Sequence, residues 1–247
     1  MRSLILSVVI LVVGVAGCQK RQQAQEMPVT PKVVDIPAPF VAAVDKVGGL
    51  KAWSDTEIIA CEGTYIVYKA DGTKYMTTQR HAVYPWSDMI KVYANEPSGK
   101  FIWSLFRDDF KMIEGTDTPG TQLPAEFGNR QIVEAIWSIL AMPARIASLA
   151  QDSKPGQPVL VDGLWYDPVQ LAGDKVFYQD KLTGIIDMCL IPAAGKYYLA
   201  RGYDYRPVTE TLIRLPGKIE IFESDAQARP LKRVVEVDYS RQQAFSF

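Results

Sequence analysis

Apolar and polar side chains alternate along most of this chain, and turn residues break the alternation at short intervals. The stretch TYIVYKADGTKYMTTQRHAVY (residues 64–84) holds two such runs about Asp71-Gly72, a pair whose tolerance of positive φ marks a tight hairpin. MIKVYANEPSGKFIWSLF (residues 89–106) repeats the device around Pro97-Ser98-Gly99, and Phe101, Trp103 and Leu105 share one face of its second strand. The last third returns to the pattern in VLVDGLWYDPVQLAG, KVFYQDKLTGIIDMCLIP, KYYLARGYDYRP, TLIRLPGKIEIFES and LKRVVEVDYS. There Ile186, Met188 and Leu190 form one apolar face and Val235, Val237 and Tyr239 another, while Asp187, Glu236 and Asp238 point the other way. One dry face and one wet face belong to antiparallel sheet, not to the doubly covered strands of a parallel one. Gly184 suits the left-handed bulge position of a short hairpin loop, and Pro216-Gly217 suits a type II turn. Roughly ten strands follow from this spacing, and an open twisted sheet of that size curls or folds over.

Two stretches switch to helical spacing. PFVAAVDKV (residues 39–47) puts Phe40, Val41, Val44 and Val47 on one face, with Gly48-Gly49 as its stop and Leu50 and Trp53 packing just after. NRQIVEAIWSILAMPARIASLA (residues 129–150) starts at Asn129, a good N-cap, and spaces Ile132, Val133, Ile136, Ile139 and Leu140 along one side. Pro143 ends or kinks it and leaves a shorter piece beyond. The expected fold class is mainly β (α+β): an incomplete, strongly curved antiparallel β-barrel whose concave face the helices cover.

The N-terminus is of another kind. Arg2 precedes an apolar run of fourteen residues, 4–17, too short for the roughly 20 that span a bilayer and laid out like a secretory signal. It closes on Val15-Ala16-Gly17-Cys18, which resembles a bacterial lipobox: small side chains admit the peptidase, and the Cys18 thiol accepts the lipid. The expected division is a signal peptide over residues 1–17, a lipid-anchored tether over 18–39 that is rich in Gln, Lys and Pro, and a single half-barrel domain over 40–247. A tether of about 20 residues spans about 25 Å as a flexible coil. Membrane attachment through this N-terminal lipid is therefore the first partner the chain implies. Gln19 is not the aspartate that holds some enteric lipoproteins in the inner membrane, so the expected place is the cell envelope, at the outer membrane facing the periplasm.

Chemistry is harder to find. The signal removed, 26 basic residues face 28 acidic ones, and no basic run is longer than a pair such as Lys20-Arg21, which argues against nucleic acid as a partner. One histidine, His81, cannot build a multi-histidine zinc site, and no cysteine pair has metal spacing, so no metal and no cofactor are expected. His81 reads as a sheet residue facing solvent. Asp108-Asp109 and Asp162/Asp167 are the candidate carboxylate pairs for glycoside chemistry, but turns favour aspartate anyway, and no catalytic residue is assigned. Cys61 and Cys189 are open to a disulfide in an oxidising compartment or to burial as small hydrophobes.

The order of an N-terminal helix, hairpins, a mid-chain helical insert and a long meander, with the hairpin Asp-Lys-x-Thr-Gly at residues 180–184 and Asp187 after it, resembles the lipoprotein-localisation-factor superfamily. That group comprises the periplasmic carrier of outer-membrane lipoproteins, its membrane receptor and related lipid-binding lipoproteins. The resemblance implies an incomplete barrel whose cavity holds acyl chains under a helical lid, and the lipobox fits the receptor better than the soluble carrier. The residues then expected to line the cavity are Phe101, Trp103, Leu105, Ile186, Met188 and Leu190, covered by Ile136, Trp137, Leu140 and Met142. Two readings result: a monomeric, lipid-anchored hydrophobic cup that binds or transfers lipid or lipoprotein acyl chains, and a structural envelope lipoprotein whose core its own side chains fill.

Overall fold

The computed structural model of the chain describes residues 36–96, 99–115, 128–150 and 153–246. The signal segment, Cys18, nearly all of the tether and the Pro97-Ser98 turn lie outside the described residues.

Thirteen antiparallel strands make one sheet. The first five, β1 (Thr56–Tyr68), β2 (Lys74–Tyr84), β3 (Met89–Glu96), β4 (Gly99–Phe106) and β5 (Asp109–Glu114), are one meander. The other eight are β6 (Lys154–Pro155), β7 (Val159–Val161), β8 (Leu164–Gln170), β9 (Val176–Asp180), β10 (Ile186–Ala193), β11 (Lys196–Pro207), β12 (Arg214–Ser224) and β13 (Pro230–Ser246). Their order runs β5-β4-β3-β2-β1-β13-β12-β11-β10-β9-β8-β6, with β7 also on β8. The last strand pairs with the first, from Thr56↔Ser246 to Val67↔Val235, and so joins the two meanders into one surface. β5 and β6 end the order without pairing to each other, so the barrel is open. In the β1–β13 seam the register slips between Glu62 and Gly63, and a methyl group on Gly63 would fall 2.1 Å from the Asp238 carbonyl oxygen.

Local chemistry explains most turns. Asp71 accepts from the Thr73 amide (2.9 Å), and Gly72 takes φ 82°. Gly184, at φ 74°, donates its amide to the Asp180 carbonyl (2.8 Å). Pro216-Gly217 is a correction: both lie inside β12, with Tyr205↔Pro216 in register, and the reversal falls earlier, where the Val208 amide reaches the Ile213 carbonyl (2.8 Å). A proline is tolerated there because pairing with β13 begins only at Lys218. Gly217 leaves room for the Arg206 guanidinium, which an added methyl would strike.

Four helices cover the concave side. α1 (Ala38–Lys46) begins two residues after Ile36, which is already buried. Gly48-Gly49 turns the chain rather than stopping helix altogether, and α2 (Gly49–Ser54) follows with Trp53 buried. The mid-chain insert is α3 (Arg130–Leu140) and α4 (Met142–Leu149), which meet at an angle of 104°. Among the described residues no single helix is long and apolar enough to cross a membrane.

Candidate functional site: the filled concave face

The Asn129 side chain accepts from the Gln131 and Ile132 amides (2.9 and 3.2 Å), satisfying two of the free donors at the start of α3. From there α3 runs through the cup. It touches β10, β11 and β12 on one side and β3 and β4 on the other, strands from opposite arms of the sheet. Residues 132–140 are all buried, polar Glu134 and Ser138 included. Pro143 falls in the first turn of α4, where its missing N–H costs nothing, and the chain leaves toward α2 and the 3-10 turn Pro85–Ser87.

Phe101, Trp103, Leu105, Ile136, Trp137, Leu140, Met142 and Ile186 all join one core. Phe101 and Trp103 stack with ring centroids 5.7 Å apart. Met188 and Leu190 do not belong there. They lie in a second cluster with Val161, Tyr166, Tyr178 and Leu199. The cause is a bulge: the β9–β10 register slips between Ile186 and Met188, so an extra residue turns the side-chain alternation over. Cys189 and Ile191 face the main core instead. Period-two reading carries no signal for that slip.

The two thiols are free and buried, which corrects the disulfide alternative. Cys189 Sγ lies 3.9 Å from the Ala135 carbonyl oxygen of α3, and burial pushes the pKa of both thiols up. His81 also departs from expectation, being fully buried rather than facing solvent. Its Nδ1 is 2.7 Å from the Tyr239 hydroxyl and its Nε2 3.0 Å from Gln79 Oε1. Because that oxygen can only accept, Nε2 carries the proton and Tyr239 donates to Nδ1. Burial lowers the His81 pKa to about 3.

The charged feature of the site lies at the α3–α4 elbow, where no sequence motif announced it. Glu134 Oε1 is 3.2 Å from Lys175 Nζ and 3.5 Å from Arg145 Nη2. Arg145 Nη1 reaches Asp88 at 3.7 Å. The Arg145 side chain is 7% exposed and that of Glu134 8%. Burial lowers the Arg145 pKa, while Glu134 and Asp88 pull it back up. A cleft of about 160 Å³ opens beside this cluster. A larger groove of about 530 Å³ lies by β1–β4, lined by Glu62, Arg80, Tyr93, Asn95, Lys100 and Phe101 among others. That mostly polar lining does not suit an acyl chain. The four candidate carboxylates are spent on separate ion pairs: Asp108 with Arg130, Asp109 with Lys111, Asp162 with Arg201 and Asp167 with Lys181.

No protein-family profile matches the chain, and no curated protein matches it either. Solved structures similar to it include a LolA superfamily protein from Nitrosomonas europaea, the superfamily that the sequence resembles. It is 10% identical, with 86% of this chain and 95% of that one covered and a TM-score of 0.49. Another is a domain described as an outer membrane lipoprotein-sorting protein from Vibrio parahaemolyticus (10% identical, 81% and 88% covered, TM-score 0.47). A third is a DUF1329 family protein from Desulfovibrio piger (9% identical, 87% and 94% covered, TM-score 0.43). At this distance no residue role passes from them to this chain.

Proposed function

We propose that this chain is a lipid-anchored lipoprotein of the bacterial envelope whose half-barrel receives an acyl chain when the α3–α4 pair lifts from the concave face. One observation carries the reading, the buried ion pairs at the elbow. A core meant only to be stable gains little from burying Glu134 and Arg145, since desolvating two charges offsets most of their attraction and apolar residues of similar size do as well. A lid that must both close in register and reopen has a use for charges that regain water when it lifts. The apolar faces thus exposed, Leu140 and Met142 on the lid and Phe101 and Leu105 on the sheet, are what an acyl chain would cover at roughly 25 cal/mol per Å².

A second reading has its own support. Residues 132–140 are buried without a break, as in a filled core whose work is done by the outer surface. One experiment separates the two. Cells expressing the full chain are fed a fatty acid bearing a photoreactive diazirine, and cross-linked peptides are mapped. Cross-links on peptides holding Phe101, Leu140 or Ile186 support the cup; labelling confined to the N-terminal peptide with Cys18 leaves the filled core. The same feeding tests the anchor: labelled fatty acid enters the wild type and not Cys18→Ala, and equal labelling of both would remove the anchor from the proposal.

A further inference from the structure

We propose that the hairpin tips around α1 form a face that lies on a lipid bilayer. Leu182, in the β9–β10 turn, is 83% exposed, and Leu212, in the β11–β12 turn, is 75% exposed. Leu160 and Trp165, cross-strand partners in β7 and β8, are 57% and 55% exposed. These are neighbours along one end of the sheet. The Lys181 amide donates to the Trp165 carbonyl (3.0 Å), which sets Leu182 beside the β8 strand. The end of α1 lies between the two tips: a methyl on Gly184 would sit 3.5 Å from Lys46 Cε, and Gly48 lies against the Leu212 backbone. The Arg214 amide closes the seam by donating to the Val47 carbonyl (3.1 Å).

Two further facts name the occupant. Exposed leucines on turns with a tryptophan behind them have the composition of a bilayer-interface anchor, in which the indole settles at headgroup level. The chain also enters the described structure through α1, a helix of nine residues and so about 14 Å long, whose far end lies at these tips. Cys18 lies eighteen residues before Ile36, and eighteen residues reach at most about 65 Å, so a bilayer held by the N-terminus is within reach of this face. Trp165 and Val169 are four residues apart in β8 and therefore share a face of that strand, and Val169 packs on the main core. The exposed indole thus stands at the margin of the concave side. Docked this way, the cup would open toward the lipid. The inference rests on the envelope reading only in supplying a membrane.

The test uses the full chain in phosphatidylcholine vesicles whose acyl chains carry bromine, a short-range quencher of indole emission. Of the five tryptophans, Trp53, Trp103 and Trp137 are buried and Trp86 is half-buried. A docked wild type should therefore lose roughly one fifth of its emission, the share of Trp165. Trp165→Phe should lose almost none, and Leu182→Glu with Leu212→Glu should abolish the quenching at unchanged melting temperature. Quenching that survives in Trp165→Phe, or none in the wild type, overturns the proposal. The Cys18→Ala chain is run in parallel, since its uncleaved apolar residues 4–17 also hold it to the vesicle. Docking is then read whether or not the cysteine is acylated, and labelled fatty acid reports the anchor separately.

Discussion

Arg145 lays its guanidinium 3.8 Å from the centroid of the Trp137 ring, tying α4 to α3 across their elbow by a contact closed to water. The stack explains how a guanidinium can be buried with only long ion pairs: the ring face supplies electrostatic attraction where hydrogen bonds fall short. It leaves Arg145 Nε and Trp137 Nε1 without partners in the described structure. Unpaired buried donors keep the closed state from being deeper than it need be.

Removing one partner and removing all three should therefore have opposite outcomes. Glu134→Gln leaves Arg145 and Lys175 without their shared carboxylate, and we expect a loss of about 2–4 kcal/mol in denaturant unfolding. Glu134→Leu with Arg145→Met and Lys175→Met replaces the latch by apolar packing, and stability should return to within about 1 kcal/mol of wild type or exceed it. The same triple variant should take up less photoreactive fatty acid, because its lid no longer regains solvation on opening. Undiminished uptake would break the link between latch and function.

Asp187 sits at the bulge that turns β10 over. Burial, with some help from Asp180 and against the pull of Arg201, raises its pKa to about 7. A carboxyl with its folded pKa above its unfolded value of 3.8 binds its proton more tightly in the folded state. Its contribution is fully present below about pH 4 and is lost as pH rises through about 7. Each pH unit between those limits is worth about 1.4 kcal/mol, which caps the contribution at about 4 kcal/mol. Unfolding free energies of Asp187→Asn measured from pH 4 to pH 8 should lack this fall, and a profile parallel to wild type would disprove it.

How far the sequence speaks follows from what each feature depends on. Curved antiparallel sheet, the Asn129 cap and the break at Pro143 are local facts of period, capping and ring chemistry, and they are legible in the residues that make them. Eight of the ten proposed cavity residues meet in one core for the same reason. Met188 and Leu190 miss because one extra residue inverts the alternation, and a bulge is settled by how two strands pair, not by either strand alone. His81 misreads as wet because, beside Gln79 of its own strand, its partner is Tyr239 of β13, which it meets only once the first and last meanders join. The Glu134–Arg145–Lys175 cluster draws on three separate segments, so no spacing rule finds it.

The seam between β1 and β13 has little tolerance at Gly63. A methyl there meets the Asp238 carbonyl oxygen at 2.1 Å and its carbon at 2.8 Å, both backbone atoms that cannot swing aside. Gly63→Ala must push the two strands apart at the join of the meanders, and we expect a loss of about 2 kcal/mol or more by chemical denaturation. Gly72→Ala, with open space around it but φ 82°, should lose less, about 1 kcal/mol. The reverse ranking would mean that the seam does not control stability.

His81 gives the pH profile its acid limb. Its folded pKa of about 3 lies below the ordinary imidazole value of 6.5, because a fully buried imidazole held between Tyr239 and Gln79 has no water to solvate a second proton. A group with a depressed folded pKa contributes stability above its unfolded pKa and loses it as pH falls. The window here runs from about 6.5 down to about 3, and it overlaps the range in which Asp187 acts with the opposite sign. Between about pH 4 and 6.5 the wild type should therefore show a flatter profile than either group alone would impose. His81→Gln keeps a polar side chain between the same partners and cannot gain a charge, so it should lower stability at pH 7.5 yet gain stability on going to pH 4, where Asp187 then acts unopposed. In Asp187→Asn the acid limb of His81 should stand uncovered, with stability falling steadily below pH 6.5. Unfolding midpoints of the wild type and the two single variants across that range separate the two contributions, because the single variants should slope in opposite directions; single variants whose profiles both run parallel to the wild type would assign the pH dependence to other groups.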